Sequence, residues 1–171
     1  MDFCHAFTTR FDGRSTQLYN NVYILANGHK VIVRALWDTG ATMSAVSHKV
    51  VSDLHLIPIG RQVVSTPTGT KEADTYCIDA MLPNNVNVEG LIVIDSEIGS
   101  QNVGGEPMGM LVGMDIISRG DFAVTNRDGK TIFTFRYPST TSIDFVKQVA
   151  VGNIIGTPHG KGNSRRKSKK K

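Results

Sequence analysis

Cysteine is scarce: Cys4 and Cys77 are the only two in 171 residues. Two thiols are too few for a disulfide framework. Cys77 stands in a strand-like run and is expected as a small buried hydrophobe. Metal-ligand patterns are equally poor. Cys4-His5 has no second pair at ligand spacing, and His48 and His55 lack a third partner, so neither a metal nor a cofactor is expected. Gly99, Gly104, Gly105 and Gly109 come without the Gly-Lys-Ser/Thr of a phosphate loop. Long apolar runs are missing too. Leu91-Ile92-Val93-Ile94 falls far short of the ~20 residues a bilayer span needs. Met1-Asp2-Phe3-Cys4-His5 has no basic-then-apolar leader. The expectation is a cytoplasmic chain with no membrane partner.

Acids are absent from the end of the chain. Seven of the 19 bases fall in the last eleven positions: Lys161, Arg165, Arg166, Lys167, Lys169, Lys170 and Lys171. That leaves twelve bases against 15 acids, net −3, in residues 1–160. The overall +4 therefore describes neither part. Residues 156–171 read as a basic disordered tail. Its 161–171 portion could make weak, salt-sensitive contact with a polyanion. The last 26 positions hold no Phe, Trp or Tyr, so base stacking is not available there.

What is present is a turn-rich β pattern. A hydrophobic content of 40% with 17 glycines suits a single globular all-β domain. Residues 1–14 show no clean period and are left as an N-terminal arm. Apolar runs at 17–25 and 31–37 flank Asn27-Gly28, a strong hairpin signal. Runs at 62–65 and 73–82 flank a stretch punctuated by Pro67 and Gly69. A further strand is predicted over 86–94, and a hairpin over 122–137 turns at Asp128-Gly129. Val46, Val50, Leu54 and Ile57 predict a short helix over 44–56, capped by Ser44 or Ser47. A helical turn is predicted over 114–119, ended by Gly120. Residues 98–109 form a loose stretch suited to a substrate-rim loop. Residues 15–138 are thus the domain, and 139–155 a C-terminal extension holding either a weak amphipathic helix or an irregular docking arm at 142–151.

The run 31–37 delivers one acid into a tight turn, Asp38-Thr39-Gly40-Ala41-Thr42. An acid leaving a buried strand is costly to place unless hydrogen bonds or chemistry offset its desolvation. A Thr hydroxyl and nearby N–H groups can hold the carboxylate, and Gly40 tolerates either φ > 0 or a crowded backbone. Further on stands Leu111-Val112-Gly113-Met114-Asp115-Ile116-Ile117, two apolar residues and a glycine opening a short helix. The two motifs, in this order and spacing, resemble the signatures of retropepsin-like (retroviral-type) aspartic proteases over roughly residues 15–138. Asp-x-Gly-x-Thr also fits the first phosphate loop of actin-like ATPases, but that fold needs two large lobes and a second phosphate loop.

The resemblance implies a small closed acid-protease barrel of hairpins with one or two short helices. One Asp-Thr-Gly supplies only one of the two carboxylates needed, so a symmetric homodimer is implied. Such an endopeptidase activates water between two Asp38 carboxylates, one from each subunit, and hydrolyses a peptide or protein substrate. Thr39 would brace the paired loops. With Asp38 and Thr39, Gly40 would belong to the catalytic loop and meet the substrate backbone; Ala41, Thr42, the flap residues Thr68, Gly69 and Thr70, and Gly113, packed behind the loop, would bind substrate. Retroviral members often carry an acid at the place of Thr42 and an Arg at that of Met114. Their joint absence places the chain with the non-viral branch and suggests a substituted packing contact. The alternative is a catalytically silent dimeric module of the same fold that binds peptides or directs assembly.

Two carboxylates ~3 Å apart at an effective dielectric of about 20 repel by roughly 5–6 kcal/mol, equivalent to roughly 4 pKa units. The pair would titrate as a unit. Peptide cleavage measured from pH 3 to 8 is expected to be bell-shaped with a maximum below neutrality; a flat profile through pH 8 contradicts the scheme.

Overall fold

A computed structural model describes residues 4–66 and 69–155. It divides into two compact units, Met1–Thr140 and Thr141–Lys171. The first is mostly β. Its strands are β1 (His5–Arg10), β2 (Tyr19–Ala26), β3 (His29–Trp37), β4 (Ala45–Ser47), β5 (Gly60–Thr66) and β6 (Gly69–Leu82). They continue with β7 (Val86–Ser96), β8 (Asn102–Val103), β9 (Glu106–Val112), β10 (Asp121–Thr125) and β11 (Ile132–Tyr137). Two short helices, α1 (His48–Asp53) and α2 (Met114–Ile117), interrupt them, and the second unit holds α3 (Phe145–Ile155).

Turn chemistry sets the hairpins. Asn27 and Gly28 take φ of 51° and 76°, and Asp128 and Gly129 take 54° and 73°. These left-handed residues suit tight reversals between antiparallel strands. Ala26 accordingly faces His29 across β2–β3, and Thr125 faces Ile132 across β10–β11.

Pairing in the order β2-β3-β9-β4-β7-β6, with β6 returning to β2, closes a barrel. β5 hangs on the outer edge of β6, and a separate sheet runs β1-β11-β10. Residues 5–10, expected only as part of an arm, thus form a paired strand. Only β11 reveals this, because Phe7 lies opposite Phe135 from the far end of the sequence.

Aromatic packing joins the small sheet to the barrel. Trp37 ends β3 and stacks on Phe122 at 5.5 Å and 4° between planes. Phe7, Phe133 and Phe135 surround it at 5.3–5.6 Å, and the indole N–H donates to Asn20 Oδ1 at 3.1 Å. The exit of the small sheet is pinned by Asp121, whose carboxylate accepts from Ser139 Oγ at 2.5 Å, Thr140 N–H at 2.9 Å and Arg136 Nε at 2.9 Å. The Ser139 bond, then the Thr140 and Arg136 bonds, hold this carboxyl well below the usual range.

Four expectations are corrected. The helix read over 44–56 is shorter, because Val46 belongs to β4; Ser47 caps α1 by accepting Val50 N–H at 3.4 Å. Cys77 is exposed, since Tyr76 and Ile78 take the inward positions and strand alternation turns Cys77 outward. Residues 98–109 are ordered as β8, a Gly104-Gly105 turn and the start of β9. Gly120 is required by packing rather than as a helix cap: a Cβ there would collide with the Arg136 carbonyl and lie 2.7 Å from the Phe135 ring.

Trp37→Ala removes the centre of the aromatic cluster and strands the Asn20 carbonyl. A loss of about 3–5 kcal/mol is expected, read from urea unfolding followed by circular dichroism.

Candidate active site

β3 and β9 run parallel as neighbours, with Trp37 level with Val112. Both motifs therefore leave the barrel at the same end. Asp38 N–H donates to the Val112 carbonyl at 2.9 Å, continuing the pairing by one residue. The chain then turns, and Ala41 N–H reaches back to the Asp38 carbonyl at 3.2 Å. The Asp38 side chain is half-buried, and its Oδ1 accepts Gly40 N–H at 2.8 Å. A Cβ on Gly40 would sit 3.1 Å from that oxygen. Crowding by the carboxylate, not a positive φ, explains this glycine. Thr39 is exposed beside it, and it is the backbone N–H of Gly40 that the Asp38 carboxylate accepts.

The second motif backs the loop. Gly113 is buried, and a Cβ there would lie 2.7 Å from both the carbon and the oxygen of the Met43 carbonyl and 3.0 Å from the Ala41 oxygen. Its N–H donates to Ser44 Oγ at 3.0 Å, and that hydroxyl donates to Asp115 Oδ1 at 2.7 Å. Ser44 N–H donates to Asp115 Oδ2 at 2.9 Å. Met114 N–H reaches the Ala41 carbonyl at 2.8 Å, and Asp115 N–H reaches that of Thr42 at 3.2 Å. Instead of the expected packing contact between Thr42 and Met114, a hydrogen-bonded clamp joins the motifs, its acid standing one residue later at Asp115. Met114 itself is exposed.

Ser44 and Asp115 escaped the sequence reading as site residues. Ser44 was assigned a capping role, although a small polar residue directly before the apolar pair Ala45-Val46 is a signal of its own. Asp115 lies in the first turn of α2, where helix polarity favours an acid; that local preference hides its bond to a residue 71 positions away.

A cavity of ≈ 370 Å³ opens against the loop, walled by residues 40–43, by 62–65 of β5 and by Ile94. Ala41 and Thr42 line it as expected for substrate contacts, and none of its walls is ionisable. Gly113 lies behind the loop rather than on the cavity. Gly69 and Thr70 stand on the facing strand of the β5–β6 hairpin, while Thr68 lies outside the described residues. Residues 99 and 106–109 line a different cavity, of ≈ 260 Å³, against 31–34 and α1. β5, and none of residues 98–109, lines the cavity against the loop. At the root of the hairpin, burial, then Asp95 and Asp74, push the Tyr76 phenol pKa up. No cluster of three His, Cys, Asp or Glu able to hold a metal occurs among the described residues.

Residues 21–116, more than half of the chain, match the family described as aspartyl protease. Similar solved structures include a retropepsin-like aspartic protease from Rickettsia conorii, at 14% identity and TM-score 0.49, covering 80% of this chain and 97% of that one. Another is the Simian Foamy Virus (mac) protease, at 23% identity and TM-score 0.40, covering 59% and 92%. A third is the retroviral protease-like domain of Ddi1 from Leishmania major, at 20% identity and TM-score 0.40, covering 64% and 82%. No curated protein matches the sequence.

Asp115→Ala removes the acceptor for both Ser44 donors and is expected to destabilise by about 1–3 kcal/mol. Gly113→Ala drives a methyl into the Met43 carbonyl and should cost about 1–3 kcal/mol. Thermal unfolding of both variants, with Met114→Ala as an exposed control that leaves stability unchanged, checks the clamp.

Proposed function

The chain belongs to the aspartyl protease family, and from that premise we propose that it is an endopeptidase whose site is completed by two copies of Asp38 in a homodimer. The observation that carries this reading is the state of Asp38: half-buried, anchored through Oδ1 to Gly40 N–H, with Thr39 and Gly40 exposed beside it. Half of a two-carboxylate site has this form. A lone carboxylate cannot take a proton from water and donate one to the scissile carbonyl in the same step.

In the dimer the ionised Asp38 takes a proton from water, and the resulting hydroxide attacks the peptide carbon. The protonated Asp38 of the partner donates its proton to the carbonyl oxygen, giving a neutral tetrahedral diol. Collapse breaks the C–N bond, and a proton passes to the leaving nitrogen, so that acid and amine products separate with water consumed. The substrate backbone runs in extended form between residues 40–43 and the β5–β6 hairpin. The uncharged walls of the neighbouring cavity favour apolar side chains. Closure of the hairpin would exclude water from the diol.

Cleavage of a peptide library, read by mass spectrometry between pH 4 and 7, tests this. Asp38→Asn should lower the rate at least about 10³-fold while leaving the fold and peptide binding intact. Equal cleavage by both proteins removes Asp38 from the chemistry. Binding without cleavage in the wild type, with a dimer in sedimentation, assigns the silent binding module instead.

A further inference from the structure

The small sheet of the first unit has two edges, and they differ. On β1 the Ala6 carbonyl accepts Asn84 Nδ2 at 2.8 Å, so the chain's own turn at 83–85 already meets that strand. β10 pairs with β11 on one side and, among the described residues, with no strand on the other. Alternate residues of an antiparallel strand turn their N–H and C=O away from the partner. Along Phe122–Thr125, β10 therefore turns backbone groups toward its open side.

Open edges are ordinarily blunted by Lys, Pro or a bulge, because they template pairing with another chain. Asp121-Phe122-Ala123-Val124-Thr125 contains neither Lys nor Pro, and its register against β11 runs unbroken. Its one charge, Asp121, is committed to Arg136, Ser139 and Thr140. The edge is also apolar on one face. Phe122 and Val124 stand opposite Phe135 and Phe133, on the side covered by Trp37. Phe122 is half-buried there, and Val124 is 39% exposed.

A second copy of this edge fits the first. With Ala123 on a two-fold axis, Phe122 faces the partner's Val124 and Val124 faces the partner's Phe122, which covers both. Asp121 faces the partner's Thr125, so no like charges are opposed. Each β10 then lies about 2.4 Å from the axis, half the spacing of neighbouring strands. The axis is perpendicular to the sheet, so both Trp37 side chains lie on one face of it. Asp38 directly follows Trp37, and the two acids flank the axis on that face. A peptide added to this edge would take up the backbone groups but bring no second carboxylate.

We propose that two copies of the chain join through their β10 edges, with Ala123 on the axis, into one six-stranded sheet ordered β1-β11-β10-β10-β11-β1. The inference rests on the two-carboxylate reading of Asp38 and names the surface that supplies the second carboxylate. Such an interface is isologous, each copy giving and receiving the same contacts.

Ala123→Cys, in a chain carrying Cys4→Ser and Cys77→Ser, is oxidised and resolved without reductant. Directly opposed residues have Cα atoms about 4.5–5.5 Å apart, within disulfide reach, so a covalent dimer is expected. Thr8→Cys in the same background, exposed on β1, would stand about 24 Å from its copy and should not cross-link. In sedimentation, Val124→Lys should raise the dimer dissociation constant at least about tenfold, with circular dichroism showing that the variant stays folded. Its cleavage of peptides should fall at low protein concentration and recover at high concentration by mass action. A Thr8→Cys cross-link without one at position 123, or a wild-type dimer that Val124→Lys leaves intact, overturns this surface and leaves the role of Asp38 standing. A wild-type chain that cleaves peptides as a monomer overturns both readings. Dimerisation with the Ala123→Cys cross-link in a chain that never cleaves supports the surface and tells against the peptidase.

Discussion

A carboxylate at the end of a buried strand is costly unless hydrogen bonds or an opposite charge offset its lost hydration. The fold meets this constraint mainly with backbone. Asp38 N–H continues the β3–β9 pairing onto the Val112 carbonyl, and Gly40 N–H turns back onto Oδ1. Backbone donors of this kind cannot rotate away as side chains can. They depend, however, on the loop itself keeping its path. That is the work of Gly113, Ser44 and Asp115, which carry a chain of hydrogen bonds from one motif to the other. Ser44 is fully buried, so its hydroxyl could not go unpaired without a penalty. The clamp is therefore a condition of folding.

Behind the loop, the aromatic cluster does for the strand what the clamp does for the turn. Trp37 immediately precedes Asp38 and is gripped by rings from β1, β10 and β11. The position of the acid thus depends on strands drawn from both ends of the protease unit. A large residue at this point also explains why the small sheet exists. Without Phe7, Phe122, Phe133 and Phe135 to cover it, the indole would face water at the open end of the barrel.

Function follows from how these supports leave the front of the loop. Thr39 and Gly40 are exposed while the residues behind them are packed, and a neutral cavity lies between the loop and β5. The proposed peptidase uses that exposure for a second carboxylate and that cavity for substrate. The charge of the chain is kept elsewhere. Residues 1–160 are net negative, and seven of the 19 bases fall in the last eleven positions.

Local rules made part of this protein legible. Asn27-Gly28 and Asp128-Gly129 announce their turns because few residue pairs adopt two left-handed conformations in succession. Asp38-Thr39-Gly40 announces an acid in a crowded turn for the same kind of reason: the requirement lies within three residues. Alternation along β6, by contrast, could not say which face was inward, and Cys77 was placed on the wrong one. The period read through Val46 and Val50 mixed a strand with a helix, since four spaced apolar residues satisfy either when the segment is short.

The sequence by itself therefore determined the acid, its turn, the second glycine motif and the class of fold that carries them. Only the tertiary structure decided that Ser44 and Asp115 would clamp those motifs, that β1 would pair with β11, and that residues 62–65 of β5 would line a cavity beside the loop. The physical reason is range. A turn is settled by the backbone freedom of the residues in it, whereas a hydrogen bond across 71 residues exists only once barrel closure has brought its two ends together.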